Sequence, residues 1–133
     1  MDQPANASLT EKQPRIQVLV VDDDVRLARV LQINLHARGF AVTVAHDGQS
    51  ALALAGQRNP QLVILDLGLP DLDGIHVLSR LRRRSTVPVI VLSARSDTAD
   101  KILALDTGAD DYITKPFGIA ELMARVGAAL RNR

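Results

Sequence analysis

The sequence predicts a doubly wound α/β fold in which a five-stranded parallel sheet is covered by five helices. Two observations lead to this prediction. Short apolar runs alternate with amphipathic helical patterns five times along the chain, and such alternation is typical of a parallel sheet with right-handed crossovers. Runs such as Val18–Val21 and Leu62–Leu65 are continuously apolar, which indicates strands that are buried on both faces.

Each element has its own local signal. Phe40, Val42 and Val44 alternate with other residues, as in a strand. Gly39 is a typical helix end, while Asp47 and Asp73 are typical helix caps. The predicted strands are 17–21, 40–44, 62–65, 89–92 and 111–114, and the predicted helices are 25–38, 48–57, 73–84, 97–105 and 118–131.

Length and composition narrow the class of protein. The chain has 133 residues, of which 47% are apolar and none is cysteine. This predicts one domain with a real core and excludes disulfide scaffolds, thiolate nucleophiles and cysteine metal sites. The net charge of +1 argues against a nucleic-acid surface spread over the whole domain.

The first residues differ from the rest of the chain. Residues 1–15 are polar and lack periodicity, so we expect a disordered tail there and a domain at 16–133. No signal peptide or membrane-spanning segment is evident. We therefore expect a soluble, cytoplasmic protein that does not contact the membrane.

Chemistry-bearing residues follow four of the predicted strands. They are Asp22, Asp23, Asp66, Ser93 and Lys115. Parallel strands end at one edge of the sheet, where open α/β sheets bind ligands. Clustered carboxylates suit Mg²⁺, which is bound through one or two carboxylates plus a phosphate. A carboxylate can also act as a nucleophile and form an aspartyl phosphate, while a hydroxyl and an ammonium stabilise the transferring group.

Four motifs occur in one order. They are Val-Val-Asp-Asp-Asp at 20–24, Leu-Asp-Leu-Gly-Leu-Pro-Asp-Leu-Asp-Gly at 65–74, Val-Leu-Ser-Ala-Arg at 91–95 and Ala-Asp-Asp-Tyr-Ile-Thr-Lys-Pro-Phe at 109–117. In this combination the chain resembles the receiver domains of two-component response regulators, from about Val18 to Arg131. The resemblance implies a flavodoxin-like strand order of 2-1-3-4-5.

The same resemblance assigns a role to each residue of the cluster. It implies that Asp66 accepts a phosphoryl group from a sensor histidine kinase. Asp23 would bind Mg²⁺ directly, Asp22 would bind it through water, and the Gly68 carbonyl would be a further ligand. Such a domain is not an enzyme, apart from catalysing its own phosphorylation and dephosphorylation.

The remaining site residues are assigned to phosphate contact and to switching. The resemblance implies that Ser93 and Lys115 contact the phosphoryl oxygens and that Lys115-Pro116 is a cis peptide bond. Ser93 would then move toward the phosphate, and Tyr112 would turn inward. A half-buried aromatic residue on a strand explains Tyr112 equally well without a switch.

The C-terminal third resembles the OmpR/PhoB-type transcription factors, and residues 87–120 look closest to the potassium-responsive regulator of that class. The resemblance implies that the phosphorylated protein forms a homodimer through two helices and a strand. Lys101 would pair with Glu121 and Asp111 with Arg125 across the two-fold axis, around Ile102, Leu105 and Ala124. Gly127 stands where a basic partner for Asp106 is expected, so that pair is not predicted.

Members of that class continue into a DNA-binding output domain, which this chain does not include. DNA contact is therefore expected only through such a domain. Arg131-Asn132-Arg133 looks like the start of a linker. A stand-alone phosphotransfer receiver is the other form that the sequence allows.

Two rival functions can be tested on the same residues. A haloacid-dehalogenase-like phosphatase would carry its nucleophile at Asp22 in an Asp-x-Asp-x-Thr/Val motif, but Arg26 occupies the last position. A receiver-like interaction module would lack part of the pocket, and no pocket residue is missing. The receiver interpretation is therefore preferred.

A basic run ends the third predicted helix. It consists of Arg80, Arg82, Arg83 and Arg84. Cations at the end of a helix are favoured by its dipole, so the run is interpreted as a solvated face rather than a DNA contact.

Overall fold

The computed structural model describes residues 14–132. The predicted disordered tail lies almost entirely outside these residues, and the division at residue 15 stays a prediction. Strands and helices alternate through the described residues. They are β1 (Gln17–Val21), α1 (Val25–Ala37), β2 (Ala41–Ala45), α2 (Gly48–Arg58), β3 (Leu62–Asp66), α3 (Gly74–Arg82), β4 (Val89–Ser93), α4 (Thr98–Thr107), β5 (Asp111–Thr114) and α5 (Ile119–Arg131).

The five strands form one parallel sheet in the order β2-β1-β3-β4-β5. This confirms the predicted fold class and strand order. At the centre of the sheet, Val20 of β1 lies between Val44 of β2 and Ile64 of β3. The carboxyl ends of β1 and β3 are therefore adjacent, and they bring their terminal aspartates together.

The core consists of two apolar layers, one on each face of the sheet. Alternate strand residues point to opposite faces, so Leu19 and Leu65 pack in one layer while Val20 and Ile64 pack in the other. The first layer includes residues of α2, α3 and α4, and the second includes residues of α1 and α5. Helices cover both faces, as the continuously apolar strands predict.

Side-chain caps begin four of the five helices. Asp24, Asp47, Asp73 and Asp97 each accept a hydrogen bond from a backbone N–H of the first turn, which confirms the predicted caps at Asp47 and Asp73. Strands β3 and β4 extend one residue further than predicted because Asp66 and Ser93 are still paired in the sheet. None of the described helices is long and apolar enough to cross a membrane.

Candidate functional site

Three carboxylates meet at the carboxyl edge of the sheet. Asp22 and Asp23 follow β1, and Asp66 ends β3. Each offers an oxygen within 4.8 Å of the others, which is close enough to share one cation. Asp22 and Asp66 are buried, at 1% and 7% exposure, whereas Asp23 is exposed. The cluster is thus open to solvent on the side of Asp23.

Lys115 is the cation that lies against this cluster. Its Nζ donates to Asp22 Oδ2 at 3.0 Å and lies 3.6 Å from Asp66 Oδ1. The backbone places it there, because the Lys115 N–H donates to the carbonyl of Ser93 at 2.8 Å. The Lys115-Pro116 peptide bond is cis, as predicted.

The electrostatic balance at Asp66 is unfavourable for its charged form. Burial raises the pKa of Asp66, and the neighbouring Asp22 raises it further. Lys115 and a hydrogen bond from the Gly68 backbone oppose the rise but do not cancel it. One ammonium therefore does not compensate three carboxylates, and a second positive charge at this edge would be stabilising.

The loop after β3 is fixed from two sides. Gly74 donates to the Leu67 carbonyl at 2.8 Å, and Gly68 forms a bridge with Asp73. A Cβ at position 74 would overlap Asp66 O and Leu67 Cα, so only glycine allows α3 to approach the strand end this closely.

The other side of this loop is held by Asp71. Its carboxylate accepts the N–H groups of Gly48 and Gln49 at 2.7 and 2.9 Å. These hydrogen bonds lower the pKa of Asp71. The sequence analysis missed this role, because the partners are 22 and 23 residues away.

Comparison with known proteins identifies the family of this domain. Residues 18–127 match the model of the response regulator receiver domain. The chain belongs to this family. The phosphatase alternative is not favoured, and the roles of the individual residues in these motifs stay predictions.

The curated relatives of this receiver domain are named as transcriptional regulators. The transcriptional regulatory protein KdpE of Mycobacterium tuberculosis is 57% identical over 115 residues, which cover 86% of this chain and 51% of that protein. The KDP operon transcriptional regulatory protein KdpE of Escherichia coli is 55% identical over 115 residues, which again cover 86% of this chain and 51% of that protein. The chain thus spans about half the length of these relatives.

Solved structures agree with the fold. The Francisella response regulator 1452 receiver domain superposes with a TM-score of 0.84 at 41% identity, over 89% of this chain and 98% of that one. The BeF₃-activated receiver domain of Klebsiella pneumoniae RstA has a TM-score of 0.83 at 31% identity, over 86% and 98%.

The predicted switch residues lie on the two strands that follow β3 in the sheet, with Ser93 at the end of β4 and Tyr112 in β5. Ser93 is buried at 1% exposure, and its Oγ accepts the Arg95 N–H at 3.0 Å. The Tyr112 ring is partly buried, and its hydroxyl donates to the Arg95 carbonyl at 2.6 Å. Both side chains are thus linked through one residue of the loop between β4 and α4.

The predicted dimer residues lie on the surface of α4, β5 and α5. Ile102 and Leu105 are 53% and 47% exposed, and Ala124 is also exposed. Arg125 Nη1 donates to both Asp111 oxygens at 3.1 Å within the chain, which raises the pKa of Arg125. Arg125 also pairs with Glu121 at 3.3 Å. The cross-subunit pairs therefore stay a prediction.

The basic run at the end of α3 contains two kinds of arginine. Arg80, Arg83 and Arg84 are exposed, as expected of a solvated face. For Arg82 that interpretation is wrong. Its guanidinium donates to the carbonyls of Gly108 and Ser85 at 3.0 and 3.3 Å and pairs with Asp110 at 3.1 Å, so it connects α3 to the segment before β5.

Proposed function

We propose that Asp66 accepts a phosphoryl group from a sensor histidine kinase in a Mg²⁺-dependent reaction. The observation that carries this proposal is the surplus of negative charge at the carboxyl edge, where one lysine lies among three carboxylates. Such an arrangement is suited to a cation and to a phosphoryl group in transfer. Family membership supports the same conclusion.

The residues present fit a magnesium ion. Asp23 would bind it directly, Asp22 would bind it through water, and Asp66 and the Gly68 carbonyl would complete the protein ligands. All of these are hard oxygen donors, which Mg²⁺ prefers. When bound, the ion supplies positive charge that neutralises the developing charge of the phosphoryl group.

The transfer can be written as a displacement at phosphorus. An Asp66 oxygen attacks phosphorus, and the bond from phosphorus to the histidine nitrogen of the donor breaks. The nitrogen keeps the electron pair, and Asp66 becomes an acyl phosphate. Lys115 Nζ, 3.6 Å from Asp66 Oδ1, is near enough to contact a phosphoryl oxygen, and the Ser93 hydroxyl would donate to another.

Because these groups belong to the receiver domain itself, a small phosphodonor should replace the kinase. We expect acetyl phosphate and Mg²⁺ to add one phosphoryl group per chain, as measured by intact mass spectrometry. The group should be acid-stable and base-labile, and it should be lost again by hydrolysis within the domain. This self-catalysis is the only enzyme-like activity that we propose.

Two matched variants test the assignment of Asp66. Asp66→Asn should abolish the phosphoryl adduct, because it removes the nucleophile. Asp22→Asn should only slow its formation, because it leaves the nucleophile in place. An adduct that persists in Asp66→Asn and disappears in Asp22→Asn would contradict the proposal and favour the phosphatase alternative.

The output that we propose is control of transcription from a cytoplasmic location, through a DNA-binding domain beyond the receiver domain. The relatives of which this chain covers about half are named as transcriptional regulators, and this supports the proposal. Phosphorylation would rearrange Ser93 and Tyr112 and change the adjoining surface of α4, β5 and α5.

We further propose that this surface forms a homodimer when the domain is phosphorylated. Exposed ion pairs contribute only about 0.5 kcal/mol each, so Ile102, Leu105 and Ala124 would supply most of the binding free energy. The charged residues would fix the register. Arg125 would have to exchange its Asp111 within the chain for that of the partner subunit.

Analytical ultracentrifugation of the beryllofluoride-treated protein tests the dimer. Leu105→Asp should keep the treated protein monomeric while Asp66 is still phosphorylated by acetyl phosphate. Lys101→Glu should weaken the dimer, and the further change Glu121→Lys should restore part of it. If the beryllofluoride-treated Leu105→Asp variant dimerises as strongly as the parent, this surface is not the dimer interface.

A further inference from the structure

A cavity of about 930 Å³ lies at the amino edge of the sheet, on the opposite side from the acidic cluster. We call it the amino-edge cavity. It lies between the segment that ends α2 and the segment that connects α3 to β4. Its lining residues are Ile16, Leu52, Ala55, Gly56, Asn59, Pro60, Gln61, Arg80, Leu81, Arg83, Arg84, Ser85, Thr86, Val87, Pro88 and Leu130.

The lining is strongly positive. It contains Arg80, Arg83 and Arg84 and no acidic residue. All three side chains are exposed, and no carboxylate of residues 14–132 forms an ion pair with them. The C-termini of α2 and α3 contribute roughly −0.5 charge each, so three guanidinium groups leave a clear positive excess.

These arginines differ from Arg82 in the same run. The Arg82 guanidinium is occupied by Asp110 and by the Gly108 and Ser85 carbonyls. It stabilises the fold, and the cavity does not include it. The solvated arginines at the cavity are thus the part of the run that neither the fold nor the receiver function uses.

The rest of the lining suits an organic ligand. Leu52, Leu81, Val87 and Leu130 offer apolar surface, and Asn59, Gln61, Ser85 and Thr86 offer hydrogen-bonding groups. The volume is within the range of small-molecule sites, which are largely apolar with a few polar groups that fix orientation. Guanidinium groups bind phosphate in a planar, bidentate manner.

We propose that the amino-edge cavity binds a phosphorylated small molecule of about nucleotide size, with its phosphate at Arg80, Arg83 and Arg84. Its apolar part would lie against Leu81 and Val87. The site is independent of phosphorylation at Asp66, which is at the other edge of the sheet.

The first test is calorimetric titration with adenosine 5′-monophosphate, flavin mononucleotide, glucose 6-phosphate, inorganic phosphate and adenosine. EDTA is present so that no cation bridges the ligand to the acidic cluster. At least one ester should bind roughly tenfold more tightly than either inorganic phosphate or adenosine, because both parts of the cavity contribute. Failure of all three esters to bind would overturn the proposal.

Two variants locate the site. The triple change Arg80→Gln, Arg83→Gln and Arg84→Gln should weaken binding of that ester roughly tenfold or more. Gly56→Leu should also weaken it, because Gly56 lines the cavity, a Cβ there meets no atom within 4 Å, and the longer side chain would narrow the cavity.

The matched control changes Arg26, Arg29 and Arg38, three exposed arginines associated with α1, to glutamine. This control alters the net charge equally and should leave the affinity within about twofold, because charge at a distance is screened. An equal loss of affinity in both triple variants would show that the ester is attracted non-specifically by positive charge, and it would overturn the site. Tighter binding of a glutamate-rich peptide than of every ester would overturn it in favour of a protein partner.

Discussion

Two ionic clusters, one at each edge of the sheet, are balanced differently. At the amino edge, Arg82 pairs with Asp110, and the same Asp110 oxygen accepts the Val89 N–H at 2.8 Å. At the carboxyl edge, Lys115 is the one cation among residues 14–132 that pairs with the cluster of Asp22, Asp23 and Asp66. The first arrangement compensates each charge, whereas the second leaves a surplus. The difference separates a part of the fold that provides stability from a part that is adapted to a ligand.

The largest effect on stability is expected at the amino edge. Arg82→Gln should lower the free energy of unfolding by about 2 kcal/mol, because it breaks the ion pair with Asp110 and removes hydrogen bonds to two carbonyls. Urea denaturation measures this loss. The neighbouring change Arg83→Gln is the control and should alter stability by less than about 0.5 kcal/mol. Equal losses in the two variants would remove the distinction between them.

The next effect concerns the cation at the carboxyl edge. Asp23→Ala should weaken Mg²⁺ binding at least tenfold in calorimetry, because it deletes a direct ligand. Asp100→Ala, an acid outside the cluster, should leave the affinity unchanged. The pKa of Asp66 is raised, and a protonated carboxyl does not bind a metal. As the pH falls, the parental protein should therefore lose Mg²⁺ affinity at a higher pH than a site made of ordinary carboxylates. Full Mg²⁺ affinity in Asp23→Ala would contradict the proposed ligand set.

A gain in stability is expected where the charge surplus is removed. The fold raises the pKa of Asp66, so its ionised form destabilises the fold at neutral pH. Without Mg²⁺, Asp66→Asn should therefore raise the free energy of unfolding, because burial and the neighbouring Asp22 disfavour the charged carboxylate that the change removes. The gain should shrink as the pH falls, because the parental Asp66 then becomes protonated. A loss of stability at neutral pH would show that the charges at this edge are compensated.

The smallest effect on stability is expected at Asp71. This exposed carboxylate lies at the carboxyl edge and accepts hydrogen bonds from the backbone. The fold lowers its pKa through the N–H groups of Gly48 and Gln49. The stability that Asp71 contributes is thus fully present above its pKa in the unfolded chain. It is lost as the pH falls through its pKa in the folded protein. Asp71→Asn should slightly lower the urea midpoint at neutral pH and match the parent in acid. A difference that persists in acid would refute this cause.

The sequence predicts those features that depend on local patterns. Continuous apolar runs locate β1, β3 and β4, alternation indicates β2, and Asp47 and Asp73 cap helices as their positions indicate. Clustering at the carboxyl edge follows from topology, because parallel strands end together. Strand ends differ by a residue where a polar side chain, such as that of Asp66, continues the ladder.

Contacts between distant segments could not be predicted in this way. Arg82 is 26 residues from Gly108, and Asp71 is 23 residues from Gly48, so no spacing rule relates them. One signal was available for Arg82. It was only that Arg82 stands next to the buried Leu81, and this did not separate it from the exposed Arg80 on the other side of Leu81.

The position of the covalent phosphate tests the central claim most directly. After treatment with acetyl phosphate and Mg²⁺, borohydride reduces an aspartyl phosphate to homoserine, which peptide mass spectrometry can locate. We predict homoserine at position 66 alone, and none when Mg²⁺ is replaced by EDTA. Homoserine at position 22, or a phosphoryl adduct that borohydride does not convert, would contradict the assignment of Asp66.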